Sequence, residues 1–573
     1  MVPAEATQLL ANGGGNDFRS SWIASMLPAG EGSVWRSSDQ PYPSFGRADG
    51  VTNFMPHIWL GADDVGLYFG AENDQGWTVD GPKPAQEIIR EKDAVIFRMN
   101  VIREATKIPA AGRVFHFILL PTPAKPEPAD WRKQMAAGGV NFGSCDSFGG
   151  FEMKTDPADP MQGDTFRLEP RSWEHAAAMA PQSRDKWGRC ILYADASYAK
   201  PGPAFRDYDH DTHAGTGRHA WTPEFEDYVV WAINEFLKRG VIDGVYWDDV
   251  SVGNTYSLDS TAYEYAGSKN GRRVGFTTLA QRRTNMRLWR LFEAAGREPC
   301  IWAHMTVCYE VPLFSFCRYL SNGEFTTGVE PYGKRDAMDF WSPERLRVLG
   351  SSAKWGAGVM FLSTLPRSLP PGPAAEQWAY PQGRTEDALY ATSGIQTLSN
   401  GLTQKLVETK IYDTPPRVFP WWHADTVVKL SKPEKANVLS AVYAGDDRAI
   451  VFVANFDREV EHRVKLTLDV EAVFPGRGGK AGGIRWQDLD PGLDPPQVAV
   501  ASAAEIVKEA RVVQERGLDD KPPSFDPQEA DDFLTGDTPE ARKSKQLELA
   551  VEGDTASVVI RPRDYRVLEA TLR

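Results

Sequence analysis

Gly240-Val241-Ile242-Asp243-Gly244-Val245-Tyr246-Trp247-Asp248-Asp249-Val250 is the stretch on which the reading of the fold turns. Residues 241–247 are a short, largely apolar run rich in β-branched and aromatic side chains. An amphipathic segment over 225–238 precedes the run, and two adjacent carboxylates end it. This is the pattern of a helix followed by a buried parallel strand. In α/β barrels the side chains at the C-terminal ends of such strands face the substrate, which makes Asp248 and Asp249 a candidate catalytic pair.

Working outward, 129–425 alternates short apolar runs with helical segments, the grammar of a parallel sheet. Strands are expected at 139–143, 190–194, 244–247, 300–304, 318–320 and 358–362, with helices at 277–295 and 343–354. About 300 residues suit one (β/α)8 TIM-type barrel with insertions. Residues 1–128 read as a β-sandwich-like domain. A hairpin of His57-Ile58-Trp59-Leu60 and 66–70 turns on Gly61 to Asp64, strands follow at 94–99 and 113–119, and a Pro-rich linker runs over 121–128. Residues 426–573 return to strands, at 427–430, 437–443, 449–455, 464–468, 547–551 and 556–560, and read as a second sandwich. The polar, Pro- and Asp-rich 518–543 reads as a surface excursion. The expected architecture is a central barrel flanked by N- and C-terminal β-sandwich domains.

Composition narrows the function. In 573 residues, 64 Lys and Arg stand against 78 Asp and Glu, a net charge of −14 with no long basic run. This argues against nucleic acid or an anionic membrane as the main partner. The 18 Trp and 18 Tyr supply flat faces with a polar edge, suited to sugars, although most such rings belong to the core. Five scattered cysteines (Cys145, Cys190, Cys300, Cys308, Cys317) form no Cys-x-x-Cys pair and read as reduced, mostly buried thiols. No export signal and no membrane span is read in the chain, which implies a cytoplasmic protein as written and a secreted one if a natural start is missing. The oligomeric state is not legible.

The polar residues that follow the expected strands converge on one rim: Asp146, Asp195, Asp248 with Asp249, His304, Asn322 with Glu324, then Ser363 and Thr364. Tyr246, Trp247 and Trp302 flank them as candidate sugar-binding rings. Adjacent aspartates after a strand also serve as helix or turn caps, Glu324 also suits a turn, and a lone histidine is often a hydrogen-bonded core residue. The convergence favours a site. Asp209-His210-Asp211-Thr212-His213 with His219 has the residue types of a metal site, but its Gly-containing polar surroundings favour a solvated loop, and no metal or cofactor is expected. Trp421-Trp422-His423 reads as a packing knot rather than a sugar platform.

Several of these motifs resemble those of glycoside hydrolase family 123 and its relatives. In the N-terminal part the resemblance rests on His57-Ile58-Trp59-Leu60-Gly61, Gly66-Leu67, Glu72-Asn73, Trp77 and Pro121-Thr122-Pro123-Ala124-Lys125-Pro126. In the barrel it rests on Asp243-Gly244-Val245-Tyr246-Trp247-Asp248, His304-Met305 and Gly323-Glu324. The resemblance covers about residues 41–370 and implies a retaining β-N-acetylgalactosaminidase, exo- or endo-acting, on an oligosaccharide or glycoconjugate. It also implies substrate-assisted catalysis, in which the substrate's acetamido oxygen attacks the anomeric carbon. Asp248 would orient the acetamido group and Asp249 would be the general acid, where the family pattern has Glu. Two alternatives stand beside it. One is a retaining glycosidase for a sugar without an acetamido group, with Asp248 as nucleophile and Glu324 as acid/base, which needs carboxyl groups about 5–5.5 Å apart. The other is a non-catalytic carbohydrate-binding protein.

Overall fold

The computed structural model describes residues 2–3, 6–12, 22–39, 54–79, 83–136, 168, 173–195, 220–250, 252–267, 271–305, 309–323, 337–362, 373–397, 401–477, 483–490 and 549–573. By proximity of Cα atoms the chain divides into two compact units. The first comprises Met1–Trp131, Ala137–Asn322 and Ser351–Val359; the second comprises Arg132–Ala136, Gly323–Gly350 and Met360–Arg573.

The first unit holds a sandwich and a parallel sheet. One sandwich sheet runs in the order Trp22–Met26, Gln8–Asn12, His57–Gly61, Gly66–Ala71, Phe117–Thr122; the other runs Val2–Pro3, Ala94–Met99, Gln86–Glu91, Gly32–Arg36. Leu9, Ala11, Ile58 and Leu60 of the first sheet meet Trp35, Ile88 and Val95 of the second in one buried core. The expected hairpin is present, Trp59 opposite Tyr68 and Gly61 opposite Gly66. Two expectations need correction. The strand read at 113–119 lies at Phe117–Thr122, because Pro109 to Gly112 makes a turn and the chain pairs with Gly66–Ala71 only from Phe117 onward. The Pro-rich 121–128 is not a free linker either. Pro121 and Thr122 belong to that strand, at a sheet edge where a missing N–H is tolerated, and Lys125 Nζ donates to the carbonyl of Gly356.

The parallel sheet of the first unit runs in the order Ile191–Ala194, Gly244–Val250, Ile301–Met305, Tyr319–Asn322, and Gly358 continues it by donating its N–H to Arg318 O at 3.0 Å. The helix Pro223–Lys238 that delivers the chain to Gly244 begins two residues before the amphipathic segment read at 225–238. Thr222 caps it by accepting from Phe225 N, Pro223 occupies the first turn with Glu224 and Glu226, and Lys238 lies in the last. Its buried face, Phe225, Tyr228, Val229, Ala232, Ile233 and Phe236, gains about 1.5–3 kcal/mol per large side chain removed from water. Gly240, at φ +67, turns the chain out of the helix. The N-terminal end of the central strand is then pinned by Asp243, which accepts from Arg184 Nε at 2.7 Å, from the Cys190 N–H at 2.8 Å and from Arg297. Gly244 follows because a Cβ there would stand 2.4 Å from the Cys300 carbonyl oxygen. The helix Thr278–Ala294 packs beside Pro223–Lys238 and is joined to it by Arg283 and buried Glu226 at 2.7 Å. The helix expected over 343–354 is divided at Ser351, an extended residue, into Pro343–Gly350 and Ser352–Trp355.

In the second unit, Met360 and Phe361 of the strand Gly358–Phe361 pair in parallel with Gln396 and Thr397. Its sandwich combines Arg417–Phe419, Val438–Ala444, Arg448–Asn455, Asp564–Leu572 and Ile484–Asp490 with Val428–Ser431, His462–Leu468, Thr555–Ile560 and Ala550–Glu552. The protein is therefore α/β with additional all-β layers. An eight-stranded closed barrel is not seen among the described residues, and the strand expected at 139–143 and the excursion at 518–543 lie outside them. Cys190, Cys300 and Cys317 are buried free thiols.

Candidate active site

Parallel pairing puts laterally matched residues on one face of the sheet and alternates faces along each strand. Tyr193, Tyr246, Trp302 and Tyr319 are in register. They form one aromatic layer, Tyr193 stacked on Tyr246 at 5.5 Å and Trp302 edge-on to Tyr246 at 5.1 Å and to Tyr319 at 5.7 Å. Two residues further along the same face come Asp248, His304 and Ser321, at the C-terminal ends of their strands. His304 Nδ1 lies 2.7 Å from Asp248 Oδ1. An ionised carboxylate only accepts, so against that form of Asp248 the imidazole donates from Nδ1. The Tyr193 hydroxyl donates to Asp248 Oδ2. Both carboxylate oxygens are thus held by donors from the two neighbouring strands.

The ladder breaks at this point. Trp247 is opposite Ala303 and Val250 is opposite Met305, so Asp248 and Asp249 together face the single residue His304. Two residues against one is a β-bulge, a device that re-aims side chains and is frequent beside active sites. Exposure sorts the rest. The Asp248 side chain keeps 23% of its surface open while that of His304 keeps none, and Tyr246 and Trp302 are fully buried. The two rings and the imidazole are a floor beneath the carboxylate, which is the group a ligand can reach.

Trp247 lies on the opposite face. Its indole Nε1 donates to Asn285 Oδ1 of the helix Thr278–Ala294 at 3.0 Å, and Asn322, buried at its strand end, falls on the Trp247 face by alternation. Asp195 is buried directly after Ile191–Ala194. Trp221, Trp247, Asp248, Val250, Gln281, Asn285 and Leu313 line one pocket. Trp221 stands there at φ +52, the left-handed region that costs a bulky residue strain. Asp146, Glu324, Ser363, Thr364, the 209–213 motif and His219 lie outside the described residues, as does the side chain of Asp249. Among the described residues no group of three or more His, Cys, Asp or Glu could hold a metal ion, and no helix is long and apolar enough to cross a membrane. Trp421 and Trp422 meet edge to face at 5.6 Å with Arg347 across both rings.

Sequence reasoning missed Tyr193, Trp221, Gln281 and Leu313. Tyr193 reads as one more apolar member of a buried strand. The signal that finds it is register: a tyrosine paired with Tyr246 shares the face of the carboxylate two residues beyond.

No family model matches this sequence, and no curated protein matches it. Solved structures are similar to it at low identity. An α-galactosidase from Lactobacillus brevis is 10% identical, with all of this chain and 75% of that one covered and a TM-score of 0.40. An α-galactosidase from Saccharomyces cerevisiae is 9% identical, with 78% and 97% covered and a TM-score of 0.34. A glycoside hydrolase family 97 enzyme from Pseudoalteromonas sp. strain K8, solved with panose, is 10% identical, with 100% and 79% covered and a TM-score of 0.35. At these TM-scores the likenesses decide neither fold nor activity, and the chemistry of this chain rests on its own residues.

Proposed function

We propose that this protein is a glycoside hydrolase whose central carboxylate is Asp248, acting on an oligosaccharide or glycoconjugate. One observation carries the reading: a partly exposed aspartate at the C-terminal end of a parallel strand, over an aromatic floor, fixed through both oxygens by Tyr193 and His304. Ligands of parallel sheets bind outside the carboxyl ends of the strands. The proposal includes a (β/α)8 barrel over 129–425 between sandwich domains at 1–128 and 426–573.

The finer reading is a retaining β-N-acetylgalactosaminidase working by substrate assistance, with Asp248 orienting the acetamido group and Asp249 as acid. Regular alternation would send two consecutive side chains to opposite faces, and the two-against-one break at Asp248–Asp249 is what supports an adjacent pair in one site. A second reading has its own support. Donors on both oxygens hold an ionised carboxylate for direct attack, with Asp248 as nucleophile and Glu324 as acid/base.

Release of nitrophenol from β-N-acetylgalactosaminide, β-N-acetylglucosaminide and β-galactoside by the wild type, Asp248→Asn, Asp249→Asn and Glu324→Gln tests the choice. Activity confined to the N-acetylgalactosaminide, lost at least about a thousandfold in both Asp variants and blocked by a thiazoline, is the expected result. A covalent glycosyl-enzyme on Asp248, or an active Asp249→Asn beside a dead Glu324→Gln, moves the chemistry to the second reading. A wild type that binds these sugars and longer chains yet cleaves none is a carbohydrate-binding protein.

A further inference from the structure

We infer that the turn Glu72-Asn73-Asp74 of the N-terminal sandwich is a positioning element for the Asp248 site, with Asp74 as its positioning residue. The inference rests on the reading of Asp248 as the reactive carboxylate. The chain that leaves Gly244–Val250 does not pass directly into the helix Thr278–Ala294. It makes an excursion through 252–277, built of two small ladders, Asn254–Thr255 with Gly275–Phe276 and Tyr263–Glu264 with Arg272–Arg273.

The outer end of the excursion is fastened to the sandwich by an unusual set of contacts. Asp74 receives Arg273 Nη1 on one oxygen at 3.1 Å and the Tyr263 hydroxyl on the other at 2.7 Å. The Asp74–Arg273 pair is almost fully buried, with side-chain exposures of 8% and 6%. The Asn73 amide donates to Thr261 O at 2.7 Å, the Phe276 N–H to Glu72 O at 2.7 Å, and the His57 ring packs edge-on to Phe276 at 5.8 Å. The tyrosine and arginine come from facing strands of the outer ladder, so a single carboxylate fixes the register of both. A buried ion pair adds little net stability over apolar packing but tolerates only one geometry; that suits a part whose task is placement.

The fastening leads back to Asp248 by contact. Phe276, held by Glu72, pairs with Asn254, and next to that pair the Thr277 N–H donates to Gly253 O at 2.7 Å. Gln281 Nε2 then donates to Thr277 Oγ1 at 3.1 Å, and Gln281 shares the pocket wall with Val250 and Asp248. Gly253 is four residues beyond the bulge at Asp248–Asp249. A shift of the excursion therefore acts at Gly253, just past the C-terminal end of the strand that carries Asp248, and through Gln281 on the pocket wall beside the carboxylate. Misplacement of a reacting group by about 1 Å can cost about a hundredfold in rate.

The test compares Asp74→Asn, Tyr263→Phe, Arg273→Met and Arg273→Lys in the full chain, with Arg98→Gln as control. Arg98 forms an ion pair with Glu87 on the surface of the same sandwich. Hydrogen exchange at Asp248–Val250 and kcat and KM on the responsive aryl glycoside are measured together. Asp74→Asn and Arg273→Met should accelerate exchange at Asp248–Val250 as well as in 252–277, and lower kcat about ten- to a hundredfold with KM changed less than about threefold. Arg273→Lys should recover most of that loss, Tyr263→Phe should show a milder form of it, and the control should move neither quantity. Exchange that rises only within 252–277 while kcat holds overturns the inference, leaving a fastening that supports the loop alone. Should Asp74→Asn and Arg273→Met fail to fold, Tyr263→Phe, which removes one hydroxyl, carries the decision. If the wild type cleaves no glycoside the functional reading falls, and the exchange measurement, which needs no substrate, still decides the coupling.

Discussion

Among the described residues the N-terminal and C-terminal sandwiches both set a five-stranded sheet against a four-stranded one, and both bury polar side chains, Asn455 and Arg566 in the C-terminal one, but they use them differently. The C-terminal core is mostly Val, Ala, Leu and Ile, with Val442, Val451 and Leu568 of one sheet against Val464, Leu466 and Val558 of the other. The N-terminal sandwich buries polar groups beside its apolar core. Gln86 bonds both the N–H and the carbonyl of Met55 at 3.0 and 2.8 Å, neutral His57 bonds Tyr68, and Lys354 sits between the rings of Trp59 and Trp355. Each sandwich also has a buried ionic anchor. The C-terminal one is Arg384, which donates to Asp564 at 2.6 Å, to Asp490 at 3.0 Å and to Tyr565 O at 2.9 Å, with its guanidinium 3.6 Å from the Tyr565 ring centroid. It ties the helix Pro373–Thr392 to strands of its own sandwich. The N-terminal anchor, Asp74, ends instead on the excursion that follows Asp248. The same ionic chemistry ties a helix to its own sandwich in one place and fastens the loop that follows Asp248 in the other, so the two anchors should fail differently.

The largest effect should come from Arg384→Met. It leaves Asp490 and Asp564 buried with their main counter-charge gone, and breaking a buried pair from one side costs about 3–5 kcal/mol. Urea unfolding should show that loss in the transition of the C-terminal sandwich, while turnover per folded molecule stays within about twofold. A large drop in kcat with stability intact would erase the contrast with Asp74. Next in size is Leu466→Ala in the same core, expected to cost about 3 kcal/mol by lost burial and cavity formation, again without a change in kcat. A loss below about 1 kcal/mol would show that this core can collapse around the gap.

These contrasts were unevenly legible in the sequence. The helix at 223–238, the strand into Asp248 and the hairpin around Gly61 follow from local rules of periodicity, capping and turn chemistry. So does the arrival of Asp248 and His304 at neighbouring strand ends, given parallel topology. Three features do not follow. The bulge at Asp248–Asp249 exists only relative to the partner strand, because a run of seven strand residues says nothing about which of them has no opposite number. Tyr193 is chemically apolar until register sets its hydroxyl against a carboxylate. Asp74 and Arg273 are 199 residues apart, and in sequence each is an ordinary charge in a polar turn. Glu72-Asn73 stood out as a motif, but its use was visible only once Thr261 and Phe276 lay beside it.

The smallest expected effect concerns the C-terminal anchor and acid. Burial alone would push the Asp490 carboxyl up, but the Arg384 and Lys405 cations beside it hold it down, from its ordinary 3.8 to about 2. A carboxyl depressed on folding contributes its full stabilisation above the unfolded value and loses it as pH falls through the folded one. The window is therefore pH 4 to 2, and a shift of this size corresponds to about 2 kcal/mol. Asp564 works in the opposite sense. Burial raises it more than Arg384 lowers it, so its protonated form is favoured in the fold and its contribution grows as pH falls. The net acid limb is thus shallower than Asp490 alone would give. Unfolding free energies measured from pH 5 to 2 should fall by about 1–2 kcal/mol more in the wild type than in Asp490→Asn, which starts lower and has no such group to titrate. Parallel curves for the two proteins would remove Asp490 from the account of acid stability and leave Arg384 anchored through Asp564 and Tyr565 alone.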